Sequence, residues 1–282
     1  MKICLAGYGL IGREWVRHYR ADAFEVSVWN RSPQPEAPGF EPDLQRALAG
    51  AEVLHIVVAD PPAVDSVLQL AGKRVQEGLL VIQSSTISPA SSRTFHTYCT
   101  TRGAEYVEAP FTGSKPAAQD RQNVFYVGGD AAAKTRAQRI LHGLSRRIFD
   151  VGTVEHAAGL KLAMNLQIAG ISQILAESLT LARNAGISDA LFFEVMDLNV
   201  AKSGVSELKK GKLMGRDYAP QFSAKHMGKD VRLALEGTPP GAFPLGAAVK
   251  AVYDAALEAG LGEDDFCGLI RLLESEGAPL KK

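Results

Sequence analysis

An excess of charge of either sign is missing. The 282 residues carry 31 Lys and Arg against 31 Asp and Glu, a formal net charge of zero. Proteins that track nucleic-acid phosphates are usually basic overall, so no nucleic-acid partner is expected. Cysteine is scarce: the three residues Cys4, Cys99 and Cys267 lie far apart. They form neither a metal motif nor a disulfide framework, which suits a reducing, cytoplasmic compartment. The six histidines lack metal-ligand spacing with carboxylates or cysteines, so no metal is expected. No apolar run reaches 18 residues, which argues against a membrane span. The opening "MKICLAGYG" is expected to enter a strand at once, without a signal peptide. There is no internal repeat. With 46% hydrophobic residues, the chain can bury more than one core.

Two regimes of pattern follow. Up to Gly152, short β-rich runs alternate with helical stretches: "KICLAG", "FEVSVWN", "AEVLHIVV", "LLVIQSS", "AEYVEAP", "NVFYVGG" and "RRIFDVG" read as strands. Buried strands alternating with helices predict an open, largely parallel, doubly wound sheet. After Gly152 the β-rich runs stop. One long helical pattern covers about 156–186, followed by helices over "DALFFEVMDLN", "SAKHMGKDVRLALEG", "PLGAAVKAVYDAALEAG" and "EDDFCGLIRLLES". The expected architecture is α/β: a Rossmann-type sheet domain over 1–154, then an all-helical domain over 155–282 that completes a substrate cleft.

The strongest local signal is "AGYGLIG". Gly7, Gly9 and Gly12 have G-x-G-x-x-G spacing directly after a strand and at the start of a helix. Gly7 permits the tight turn, Gly9 lets backbone approach a pyrophosphate, and Gly12 lets helix pack on strand. Tyr8, Leu10 and Ile11 complete the loop, and the helix N-terminus faces the phosphates. An NAD site usually places Asp or Glu at the end of the second strand. This chain has Asn30 and Arg31, followed by Ser32. Arginine pairs with a 2′-phosphate that a carboxylate would repel, so NADP(H) is the expected cofactor. The alternative is a solvated arginine that stacks on adenine without selecting the phosphate. Ala59 and Asp60, and Ser85 and Thr86, end two further strands that should line the same crevice. Asp60 reads foremost as a helix cap; Ser85 and Thr86 either bond the cofactor or cap the next helix.

In "AAGLKLAMNLQIAG", Lys161 and Asn165 lie four residues apart and so share a helix face. A lysine here either donates a proton to a carbonyl oxygen as hydride arrives, or snorkels to water from an amphipathic helix.

Over nearly the whole chain, from "KICLAGYGLIG" to "FCGLIRLLE", the sequence resembles the β-hydroxyacid dehydrogenase (3-hydroxyisobutyrate dehydrogenase) family, nearest its glyoxylate/succinic semialdehyde reductase branch. "GLKLAMN" resembles the catalytic helix, which implies Lys161 as general acid/base and Asn165 beside it. "EAPFTGSKPAAQD" resembles the substrate loop, which implies that Thr112, Gly113 and Ser114 hold a substrate carboxylate. "MGKDVRLAL" resembles a late motif whose lysine, here Lys229, approaches the cofactor. "STISP" resembles a further cofactor-side segment. The resemblance implies an NADP(H)-dependent oxidoreductase acting on a small anionic aldehyde or hydroxy acid, assembled as a homodimer or homotetramer. Arg121 and Asn123 depart from the branch pattern. Arg121 either meets an anionic substrate or is a turn residue, and Trp15 reads as core packing. Imine reductases share the architecture but usually lack the lysine. A non-catalytic dinucleotide-binding module is the third reading.

Overall fold

Strand and helix alternate from the first residues. The computed structural model describes residues 1–239 and 241–274. The helix expected over "EDDFCGLIRLLES" therefore has its last residue, Ser275, outside the described residues. Elements β1 (Lys2–Ala6), α1 (Leu10–Ala21), β2 (Glu25–Trp29), α2 (Leu44–Ala47), β3 (Val53–Ile56), α3 (Pro61–Ala71), β4 (Leu80–Gln83), α4 (Pro89–Thr100) and β5 (Glu105–Glu108) come first. Strands β2, β1, β3, β4 and β5 lie side by side in that order, all parallel. Alternate residues of β1 feed opposite faces of the sheet: Ile3 and Leu5 join a core with Trp15 and Tyr19, whereas Cys4 and Ala6 join one with Leu54 and Val64. Burial on both faces explains why "VLHI" and "LVIQ" show no polar alternation.

Beyond β5 the direction reverses. β6 (Phe111–Thr112), α5 (Lys115–Gln119), β7 (Asn123–Gly129), α6 (Ala131–Leu141) and β8 (Ser145–Gly152) follow. β7 runs antiparallel to β5 and β6 but parallel to β8, so the eight-stranded sheet is mixed at this edge. β6 and α5 are too short to show a hydrophobic period, and neither is foreseen from sequence.

α7 (Val154–Asn184) is the long helix expected from sequence, 31 residues in all. The chain divides into two compact units, Met1–Leu162 and Ala163–Lys282. The second contains α8 (Asp189–Leu198), α9 (Gly204–Gly215), α10 (Ala224–Leu235), α11 (Pro244–Glu258) and α12 (Arg271–Glu274). α9 is absent from the sequence expectation because its three glycines and three lysines blur the apolar period. Its start is fixed by a capping box between Ser203 and Ser206. "EDDFCGLIRLLES" does not form one helix: Phe266–Ile270 is 3₁₀ and only Arg271–Glu274 is α-helical. The cause is Asp265, which is fully buried. It accepts the Gln221 and Cys267 N–H groups and pairs with Lys209 at 2.8 Å, drawing the segment into a tight turn. Ala169, Met227, Val231, Val249 and Tyr253 form the unit's main core. Among the described residues no helix is long and apolar enough to cross a membrane.

Candidate active site

The glycine loop is built by close approach. Gly7 has φ +115°, and a Cβ there would fall 2.1 Å from the Val57 carbonyl oxygen. A Cβ on Gly12 would fall 2.0 Å from the Gly7 oxygen, so α1 can start only against a bare backbone. A Cβ on Gly9 would meet nothing within 4 Å. α1 begins after Gly9 with no side-chain cap and no acidic residue in its first turn. Among the described residues the leading N–H groups around Leu10, Ile11 and Gly12 have neither a side-chain acceptor nor a carboxylate in the first turn. This donor set fits the pyrophosphate of a dinucleotide.

Asn30 ties this loop to the end of β2. Its Oδ1 accepts the Tyr8 N–H at 2.9 Å and its Nδ2 donates to the Ser32 carbonyl at 2.8 Å. Tyr8 in turn lies under the Arg13 guanidinium, 5.1 Å from the ring centre. Arg31 is exposed, and no ion pair or hydrogen bond of the described residues engages its guanidinium. At the end of β3, Ala59 is exposed and Asp60 caps α3 through Ala63 N–H at 2.8 Å. Ser85 neither caps α4 nor is exposed: its Oγ accepts the Val58 N–H at 2.8 Å, joining the ends of β3 and β4. The α4 cap is Ser88, and Thr86 is half-buried before it.

A buried carboxyl stands behind this edge. Glu108 accepts hydrogen bonds from Gln83 Nε2 (2.7 Å), Ser92 Oγ (2.6 Å) and Tyr106 OH (2.8 Å). Burial pushes it up to about 8, against the opposing pull of the Ser92, Tyr106 and Gln83 hydrogen bonds. Gln83 also accepts the Ser85 N–H at 2.6 Å, so Glu108 supports the Ser85 turn from below.

In the substrate loop, Thr112 Oγ1 lies 3.0 Å from Tyr126 OH. Gly113 has φ +131°, and a Cβ there would fall 2.6 Å from Asn123 Nδ2. Ser114 precedes α5 and its carbonyl accepts the Ala118 N–H. The two departures from the branch pattern are structural. Asn123 is fully buried and its Oδ1 accepts the Trp15 indole N–H at 3.0 Å. Arg121 sits at φ +57° and grips Asp22 with two nitrogens, at 2.7 and 2.8 Å, and the Gly143 carbonyl with one of them. That clasp holds the Asp22 carboxyl below its usual range, and it occupies the guanidinium that a substrate would otherwise use.

Lys161 and Asn165 occupy successive turns of α7. Lys161 is only 9% exposed, which does not describe a lysine reaching for water. Asn165 Nδ2 donates to Asp230 Oδ2 at 2.6 Å, and Lys229 Nζ lies 2.8 Å from Asp230 Oδ1. Asp230, 1% exposed, thus joins the amide and the ammonium. The sequence offers one signal for it, a charged residue on the buried side of α10. Among the described residues no group of three His, Cys, Asp or Glu side chains is placed to hold a metal ion.

A parallel sheet with an open glycine loop after its first strand is a dinucleotide-binding fold. Residues 2–152 match the family model for the NAD binding domain of 6-phosphogluconate dehydrogenase, and residues 156–273 match that for the NAD-binding region of NADP-dependent 3-hydroxyisobutyrate dehydrogenase. Glyoxylate/succinic semialdehyde reductase 1 of Arabidopsis thaliana is 28% identical over 285 residues, covering 97% of this chain and 99% of that protein. The solved structure of 3-hydroxyisobutyrate dehydrogenase from Salmonella typhimurium superposes with TM-score 0.85 at 22% identity, over 96% of this chain and 99% of that one. An imine reductase from Myxococcus stipitatus in complex with NADP+ gives 0.68 at 20% identity, over 97% and 100%. The chain belongs to the β-hydroxyacid dehydrogenase family.

Proposed function

We propose that the protein reduces small carboxylated aldehydes with NADPH, and oxidises the matching hydroxy acids in reverse, with Lys161 as general acid and base. The observation that carries the reading is Lys161 itself: a buried lysine on the segment that resembles the family's catalytic helix. The glyoxylate/succinic semialdehyde reductase likeness supports the substrate class. The exposed Arg31, with no carboxylate at the end of β2, supports NADP(H) over NAD(H).

Bound NADPH supplies the hydride. The Thr112 hydroxyl and Gly113 N–H hold the substrate carboxylate, with Ser114 at the start of α5 completing the loop. The Lys161 ammonium gives its proton to the carbonyl oxygen as charge develops there; in oxidation the neutral amine takes it back. Asn165, oriented by its 2.6 Å bond to Asp230, fixes the oxygen. Lys229 would contact the cofactor, as the likeness of its segment implies. Ser85 and Asp60 act on the cofactor through the backbone they hold, and Ala59 and Thr86 by direct approach. The three free cysteines, all buried, suit a cytoplasmic setting.

NADPH oxidation measured across glyoxylate, succinic semialdehyde, methylmalonate semialdehyde and cyclic imines tests the class. Turnover of at least one carboxylated aldehyde is expected, and Lys161→Met should cut kcat by about 10²–10⁴-fold while NADPH affinity stays nearly intact. Turnover confined to imines overturns the reading. So does a Lys161→Met variant that keeps more than about a third of kcat with chemistry rate-limiting.

A further inference from the structure

The hairpin that carries the substrate loop has two unlike faces. Phe111 pairs with Phe125 and Thr112 with Val124 across β6 and β7. Side chains alternate along a strand, so Phe111, Asn123 and Phe125 share one face, and Thr112, Val124 and Tyr126 the other. The first face enters the apolar core around Trp15. The second brings two hydroxyls together: Thr112 Oγ1 and Tyr126 OH, 3.0 Å apart. Tyr126 is 8% exposed, and Thr112 is the one hydrogen-bond partner of its hydroxyl among the described residues.

The proton count of this pair is informative. Two hydroxyls carry two protons, and the bond between them uses one. The other has no acceptor among the described residues. If Tyr126 donates to Thr112, the Thr112 proton is left over; in the opposite sense the Tyr126 proton is. Either way one O–H of the pair is left to donate, and Thr112 directly precedes Gly113 in the chain. A lone threonine would rotate freely and present a lone pair as readily as a proton.

We propose that Tyr126 is a specificity-determining residue, which with Thr112 forms a hydroxyl pair that recognises a carboxylate on the substrate. The inference rests on the proposed assignment of Thr112 and Gly113 to substrate binding. A carboxylate accepts at both oxygens and satisfies the pair and the Gly113 N–H together. A primary amide offers those donors a single neutral oxygen, and charge-assisted hydrogen bonds are about twice as strong as neutral ones. The pair therefore selects acid over amide.

The test uses succinate and succinamide as non-reactive probes of the NADP+-loaded protein, with binding measured by calorimetry. Wild type should bind succinate the more tightly. Tyr126→Phe keeps the ring and should weaken succinate about tenfold while leaving succinamide nearly unchanged. In the Thr112→Val background the same change should add less than about twofold, because the two hydroxyls act as one unit. With succinic semialdehyde as substrate, the loss should fall on KM rather than kcat. Thr112→Ser, which keeps a hydroxyl at the same position, should retain the preference. Equal weakening of both probes, no weakening, or additive effects of the two substitutions overturn the proposal. If Tyr126→Phe fails to fold, the contrast between Thr112→Ser and Thr112→Val decides. A wild type that prefers succinate but reduces no aldehyde defeats the proposed reaction alone; one without the preference defeats this inference.

Discussion

Arg31 is a single side chain on which cofactor choice turns. Its guanidinium is exposed and has no partner among the described residues, one residue past Asn30, which is engaged in ordering the glycine loop. The two neighbours thus divide the work: Asn30 shapes the loop, and Arg31 remains available to a 2′-phosphate. Arg31→Asp removes a charge-assisted hydrogen bond worth about 1.5–3 kcal/mol and adds repulsion. The expected outcome is a drop of at least about tenfold in the NADPH-to-NADH preference, read from the ratio of kcat/KM values or of dissociation constants. Equal affinities in the wild type, or an unchanged ratio in the variant, would mean that Arg31 is a solvated loop residue.

Among the elements, β5 ends on the most heavily supported carboxyl of the sheet. Glu108 is tied to β4 through Gln83 and to α4 through Ser92. Burial raises it from an ordinary value of 4.5 to about 8. Below about 4.5 both folded and unfolded chains hold the proton; between 4.5 and about 8 only the folded chain does. Unfolding then releases a proton, so this group makes the fold less stable as pH rises through that window. Glu108→Gln removes the titration while keeping shape. The variant should show a flatter fall of Tm between about pH 5 and 8, and a higher Tm than wild type near pH 8. Parallel Tm–pH curves for the two proteins would show that Glu108 does not titrate in this range.

For the whole molecule the open matter is assembly. Large apolar side chains lie exposed along the helical unit, among them Ile174 (59%), Leu181 (72%), Val195 (56%) and Leu198 (91%). Leaving such surface in water is unfavourable by about 25 cal/mol for each Å² that a partner would cover. We expect a homodimer or homotetramer. Sedimentation at working concentrations should give a species of at least twice the 30.2 kDa chain mass; a lone 30.2 kDa species would refute this.

Much of this organisation is set by interactions local in sequence. A glycine demanded by a carbonyl at 2.1 Å, an Asp ahead of two prolines, and buried strands of unbroken apolar character leave signatures within a few residues. So do Lys161 and Asn165, because four residues is one helical turn. What tertiary structure alone decided are the partnerships between distant residues. Trp15 and Asn123 meet across 108 positions, Arg121 and Asp22 across 99, and Asn165 and Asp230 across 65. From sequence Arg121 therefore admits two readings, and only the fold shows that Asp22 holds its guanidinium. Tyr126 had none, because only the hairpin's register sets it beside Thr112. The physical reason is the same in each case. A side chain's backbone conformation is a local property, whereas what satisfies its donors and acceptors depends on which segments the fold brings beside it.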